Sequence, residues 1–205
     1  MSEKQGNGIC MFVYNNEQLD YTKFSIVAAL YAKHHMNNIP VALILDDGTE
    51  RWLQETRSAN EIASLFDYVI IDNVPQEHNM RKHMDSPWTE FNAQFTNTNK
   101  HKVFELTPFE KTLLIDTDFL IMNNFYDYIF DTEIPLALHK FASYIGNEPP
   151  YTNEIVLNEG GIGHWWSTVV YFDQSEQSKL FFDTWAHIKD HWEYYSILYL
   201  SLIHI

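Results

Sequence analysis

Short apolar runs alternate along this chain with stretches whose apolar positions recur every three or four residues. That alternation predicts an α/β domain built on a largely parallel sheet. Residues 9–14 read as a buried strand, and 21–36 as a helix with Phe24, Val27, Ala28 and Tyr31 on one face. Asn37-Asn38 ends that helix and Pro40 blocks its continuation. A second strand over 41–45 closes at Asp46-Asp47-Gly48. Ser58 and Glu61 have the spacing of a capping box for a helix over 61–66, and 68–71 is a third strand ending at Asp72. Residues 73–87 read as a long polar connection, after which Ser86-Pro87 supplies an N-cap and first-turn proline for helical structure toward Leu106. Beyond it come a strand over 112–115, a helix over 124–130 and a strand over 136–139. The glycines and prolines of 146–163 mark a loop. A strand over 165–172 and a helix from an Asp173/Glu176 capping box to about Asp190 complete the pattern.

The 205 residues suit one domain, large enough to bury a core without disulfide or metal staples. Thirteen Lys+Arg against 28 Asp+Glu leave a net charge of −15, which excludes a general nucleic-acid or anionic-membrane binder and leaves a local basic pocket open. An aromatic content of 16% excludes a disordered chain. The single cysteine, Cys10, excludes a disulfide framework and a multi-cysteine metal site, and its apolar neighbours make it an inert buried thiol. No run approaches the ~18–20 apolar residues that span a bilayer. The first eight residues are polar and lack a signal-peptide core, so the expected location is the cytoplasm, or the host cytoplasm for a viral source. The run Leu200-Ser201-Leu202-Ile203-His204-Ile205 matches the translated end of a transposase adapter used in sequencing-library preparation. The expectation is therefore a single domain over 1–199, incomplete at its C-terminus, with 200–205 foreign to the native protein.

The strongest chemical signal is Leu113-Leu114-Ile115-Asp116-Thr117-Asp118. Two carboxylates one residue apart leave an apolar strand at its C-terminal edge, where parallel sheets bind ligands. Strand alternation puts Asp116 and Asp118 on one side and Thr117 opposite. Hard carboxylate oxygens suit Mg²⁺ or Mn²⁺ and substrate phosphates. The same pattern also serves as a pair of turn aspartates, or as the nucleophile motif of haloacid-dehalogenase-like phosphatases. That motif usually carries Thr or Val where this chain has Leu120. Asp46, Asp47 and Asp72 end strands at the same edge, and turn chemistry explains them equally well. His187 and His191 have a zinc-compatible i, i+4 spacing but no evident third ligand.

The segment Asn99-Lys100-His101-Lys102-Val103-Phe104-Glu105-Leu106-Thr107-Pro108-Phe109-Glu110-Lys111, running into Ile115-Asp116-Thr117-Asp118, resembles the glycogenin-like enzymes of glycosyltransferase family eight. Those carry a lysine, an aromatic, Leu-Thr, an aromatic, Glu-Lys, a strand and D-x-D in that order. Phe12-Val13, Tyr21 and Lys33-His34-His35 fall at the spacing of that family's first strand, nucleotide-contacting tyrosine and helix end, and residues 65–72 are similar to its third strand. The resemblance spans roughly residues 9–122, and more loosely 165–185. It implies a GT-A, Rossmann-like fold: a mostly parallel central sheet flanked by helices. It also implies a nucleotide-diphosphate sugar donor, most often a UDP-sugar, an acceptor hydroxyl, and retention of anomeric configuration. On this likeness Asp116 and Asp118 hold Mn²⁺ or Mg²⁺ against the diphosphate, Lys100 approaches the donor, Tyr21 packs on the uracil, and Asn15 and Asn16 hydrogen-bond the base. Ser167 is what remains here of the family's Asn-Ser-Gly strand beside the donor sugar, and Trp165 or Trp166 could stack on an acceptor sugar. The family's third metal ligand, commonly a late histidine, is expected beyond this sequence, and no nucleophile or general base is assigned. A non-catalytic nucleotide-sugar-binding or structural viral protein of the same fold is the competing reading.

Overall fold

The structure, a computed structural model, describes residues 4–15, 20–73, 99–139, 166–191 and 194–195, and the backbone alone over 79–86, over 89–95 and at Trp166. In chain order the elements are β1 (Asn7–Val13), α1 (Tyr21–His35), β2 (Val41–Leu45), α2 (Asp47–Thr56), α3 (Ala59–Leu65), β3 (Tyr68–Ile71), β4 (Asn79–Ser86) and β5 (Thr89–Phe95). A 3-10 turn at Lys100–Lys102 then runs into α4 (Val103–Leu106), followed by β6 (Lys111–Ile115), α5 (Asp127–Phe130), β7 (Leu136–His139), β8 (Trp166–Asp173) and α6 (Glu176–Asp190). Six strands form one sheet in the order β3-β2-β1-β6-β8-β7, and only β8 runs against its neighbours. This is the expected architecture, a mostly parallel sheet with helices on both faces.

Alternation along β1 divides the interior in two. Ile9, Met11 and Val13 face the layer of α1, α2 and α5, where they join Ala28, Ala29, Leu53 and Phe130. Cys10, Phe12 and Tyr14 face α4 and α6, joining Val103, Phe109 and Phe182. β2 is buried along its whole length, as a central strand covered on both faces must be. Of the four residues expected on the inner face of α1, only Ala28 is buried; its partners there are Thr22, Ser25, Ala29 and Ala32. Phe24, Val27 and Tyr31 are instead 44%, 43% and 37% exposed. Small side chains let the helix lie close on the sheet, and that closeness turns the bulky ones outward. Asn37 and Asn38 then stop α1 with φ of 47° and 58°, in the left-handed region that asparagine tolerates.

Asp46 does not close a turn. Its Oδ1 accepts from the Thr49 N–H at 2.7 Å and caps α2, a helix hidden in the pattern because Asp46-Asp47-Gly48 reads as turn chemistry. The Ser58/Glu61 capping box stands as expected, one turn ahead of the predicted helix start. At α6 the cap is Ser175 rather than Asp173; Asp173 accepts from the Ser175 N–H at 3.0 Å and from the Ser178 hydroxyl at 3.0 Å. The largest departure lies between β3 and the 3-10 turn. Instead of a polar connection and a helix from Ser86-Pro87, β4 and β5 pair antiparallel from Asn79↔Phe95 to Ser86↔Thr89. The alternation of Thr89, Phe91, Ala93 and Phe95 with Glu90, Asn92 and Gln94 is a strand's, and it outweighs the Ser-Pro cap signal. Helical structure begins only at Lys100. Asn16, Trp165, the 146–163 segment and residues 200–205 lie outside the described residues. Among the described residues no helix is long and apolar enough to cross a membrane.

Candidate active site

From β1 the chain moves to β2 on one side of the sheet, and from β6 toward β7 and β8 on the other. The strand order therefore switches direction where the carboxyl ends of β1 and β6 lie side by side, the place where open α/β sheets bind ligands. Polar residues gather along this edge: Tyr14 and Asn15 after β1, Asp46 after β2, Asp72 after β3, and Asp116-Thr117-Asp118 after β6.

The Asp116 N–H donates to the Thr168 carbonyl at 3.0 Å, and the Asp116 carbonyl accepts from the Phe119 N–H at 3.0 Å. The first bond extends the β6–β8 ladder by one residue; the second closes a turn. That turn, rather than continued strand alternation, disposes the side chains: Asp116 is half-buried, Thr117 is 7% exposed and Asp118 is exposed. Lys100, the first residue of the 3-10 turn, places its ammonium directly on Asp116 Oδ1. Its side chain is only 11% exposed, so it is not a solvated surface lysine. Burial raises the Asp116 carboxyl, Lys100 pulls it down and the nearby Asp118 charge pushes it up; the balance stays above the usual carboxylate value.

A second pair repeats the arrangement toward the other end of the sheet. Lys102 Nζ lies 3.3 Å from Asp72 Oδ1, and Asp72 is 12% exposed at its side chain. Asp72 Oδ2, Tyr14 Oη and Asn99 Oδ1 are buried without a hydrogen-bond partner. Burial, then the charges of Asp72 and Asp46, push the Tyr14 phenol upward. The sequence left Asp72 open between the sheet-edge cluster and turn chemistry, and did not single out Lys102; the available signal was the Lys-x-Lys spacing ahead of β6.

Asn15 has its amide engaged locally. Its Oδ1 accepts from the Thr22 N–H at 3.2 Å, its Nδ2 donates to Asp20 Oδ1 at 3.3 Å, and its N–H donates to Thr49 Oγ1 at 2.9 Å. The residue thus ties the end of β1 to the starts of α1 and α2. Tyr21 opens α1, partly buried against the helix-side core with its ring 6.1 Å from Phe24. Ser167 is exposed on β8, one residue before the Thr168 that bonds Asp116. The fold therefore collects Lys100, Asp116, Asp118 and Ser167 around the β6–β8 edge and leaves Asn15 and Tyr21 on the α1 side of β1. The His187 and His191 rings lie 4.2 Å apart on α6, with His191 Nδ1 2.9 Å from the His187 carbonyl. Among the described residues no group of three or more His, Cys, Asp or Glu forms a metal cluster. The Asp116/Asp118 pair offers the hard oxygens that Mg²⁺ and Mn²⁺ take alongside water and phosphate.

A mostly parallel six-stranded sheet with one reversed strand, flanked by helices, is a GT-A, Rossmann-like fold. Solved glycosyltransferases share this fold. GlyE of Streptococcus pneumoniae TIGR4 has a TM-score of 0.54 at 12% identity, over 93% of this chain and 39% of GlyE. WbbM, a bifunctional glycosyltransferase, has 0.51 at 10% identity, over 93% of this chain and 35% of WbbM. Mouse xyloside xylosyltransferase 1 has 0.51 at 10% identity, over 90% of this chain and 71% of that enzyme. The chain thus spans little more than a third of the first two, and at these identities the likeness is one of fold. No protein-family model and no curated protein sequence matches the chain.

Proposed function

We propose that this chain is the donor-binding domain of a metal-dependent glycosyltransferase, akin to the glycogenin-like family eight, that moves a sugar from a UDP-sugar to an acceptor hydroxyl. One observation carries the reading. A largely buried lysine lies on Asp116, with Asp118 close by, at the carboxyl edge of β6 in a sheet whose fold is shared with solved glycosyltransferases. Asp116 and Asp118 would hold Mn²⁺ or Mg²⁺, their paired carboxylates being the hard donor set such ions prefer. When bound, the ion offsets the diphosphate charge and stabilises the leaving nucleoside diphosphate. Lys100 supplies a positive charge at the same point, in a protein whose net charge of −15 otherwise repels a nucleotide. Tyr21, at the start of α1, would pack on the base. The exposed Ser167 hydroxyl is available to the sugar.

The test is thermal unfolding with and without Mn²⁺ plus UDP, on the parent and on Asp116→Ala/Asp118→Ala. Ligand at about a hundred times its Kd adds ~2.7 kcal/mol, a rise of roughly 5–10 °C for a chain of this size. A shift present in the parent and lost in the variant is the expected result. Equal melting in all four samples would overturn donor binding by this chain. A shift without release of UDP from a UDP-sugar would assign the non-catalytic binding module instead.

A further inference from the structure

We infer that Lys100 is a displaceable counter-ion. Without ligand it neutralises Asp116; it yields that carboxylate to a divalent cation when the diphosphate of a nucleotide arrives to take up its ammonium. This rests on the donor-site reading above and adds to it a rule of binding: metal and nucleotide each promote the other.

The charges around Asp116 favour such an exchange. The ammonium sits on the carboxylate that would hold the cation. A dication beside a lysine in that position meets a repulsion that a half-buried setting screens poorly. Asp118 adds a second negative charge next to Asp116, so one ammonium faces two carboxylates and the site retains a net attraction for further positive charge. Lysine is suited to the exchange, being a compact charge on a flexible four-carbon stem.

The backbone that bears it stays fixed meanwhile. Lys102, two residues on, holds Asp72 at the end of β3, and Val103 is fully buried. Lys100 can therefore change partner without lifting its turn from the sheet. The diphosphate of a nucleotide sugar carries two negative charges, so together with a divalent cation it adds no net charge to the site. By linkage, the factor by which UDP improves metal binding equals the factor by which metal improves UDP binding.

Calorimetric titration of Mn²⁺ tests this in the 205-residue chain, alone and with saturating UDP, after subtracting the affinity of UDP itself for Mn²⁺ in a protein-free run. The parent is expected to bind Mn²⁺ weakly alone and about tenfold more tightly with UDP. Lys100→Met is expected to bind Mn²⁺ alone about tenfold more tightly than the parent and to gain less from UDP than the parent does, while Lys100→Arg behaves as the parent. Lys100→Gln replaces the methionine variant if circular dichroism shows the latter unfolded. An unchanged or weaker Mn²⁺ affinity in Lys100→Met, with binding abolished in Asp116→Ala/Asp118→Ala, would overturn the exchange and leave the metal-site reading standing. Absence of Mn²⁺ binding in parent and variants alike, with or without UDP, would sink the donor-site reading and this inference together.

Discussion

The two edges of the central sheet use the same residue pairing to opposite ends. At the amino edge, Lys33 from the last turn of α1 meets Asp67 Oδ2 at 2.7 Å, and the same oxygen accepts from the Val41 N–H at 2.8 Å. Burial works against the Asp67 charge, but Lys33 and the Val41 N–H outweigh it, so the carboxyl is held below its usual range. Lys111, at the same edge, delivers its ammonium to the Phe130 and Thr132 carbonyls. At the carboxyl edge, Asp116 also has a lysine, yet burial and the Asp118 charge leave it above the usual range. One edge closes its charges on the protein itself. The other keeps a surplus that only something from outside can balance, which is how strained electrostatics marks a site.

The largest way to break this contrast is at the carboxyl edge. Asp116→Ala is expected to cut UDP release from a UDP-sugar by about 10²–10³-fold, with the far-UV circular dichroism spectrum unchanged. At the amino end of β1, Gly8→Ala should act on folding alone. A Cβ there would stand 2.3 Å from the Phe109 ring, which is 1% exposed and has nowhere to move. A loss of about 1–3 kcal/mol in urea unfolding is expected.

The ion pairs themselves should then diverge. Asp67→Asn loses at most about 0.5–1 kcal/mol, because the carboxylate is 40% exposed and water screens the pair. Lys100→Met/Asp116→Asn is expected to melt no lower than the parent, as when an imperfectly compensated ion pair gives way to neutral side chains. The smallest and sharpest signal is the pH dependence. Asp67 contributes stability above the ordinary pKa of 3.8, and that contribution is lost as pH falls through its depressed folded value. Asp116 has the reverse sign: its cost grows as pH rises from 3.8 through its elevated folded value. In urea midpoints measured against pH, Asp67→Asn should flatten the acid limb, and Asp116→Asn should remove a decline just above it. Curves that move in the same direction would erase the distinction between the edges.

Much of the scaffold was legible where one period dominates. β2, β3, β7 and α6 carry clean apolar patterns, and the Ser58/Glu61 box marks its helix directly. The pattern misled where two signals competed. Asp46-Asp47-Gly48 reads as a turn but begins a helix, and Ser86 reads as a helix cap but is the last paired residue of β4. On α1 the bulky residues drew attention to the wrong face, since closeness of packing selected alanine and serine for the inside. Asp116 and Asp118 stood out because carboxylates at the end of an apolar strand are conspicuous. Their relation to Lys100 was visible only through resemblance to other sequences. For the Lys102–Asp72 pair the Lys-x-Lys spacing marked only the lysine; its partner, thirty residues earlier, is brought to it by the sheet alone.

The pairing of β1 with β6 joins Ile9 to Leu113 and Gly8 to Thr112. During synthesis at ~5–20 residues per second, β1 therefore waits roughly 5–20 s before its second neighbour leaves the ribosome. Until then an apolar strand edge is open to any passing chain. β6 waits in turn for β8, whose Thr168 carbonyl receives the Asp116 N–H. The nascent polypeptide is thus committed to its β1-α1-β2 half well before it owns the carboxylate turn in final form. Protection by a chaperone over that interval would decide how much of it survives to maturity.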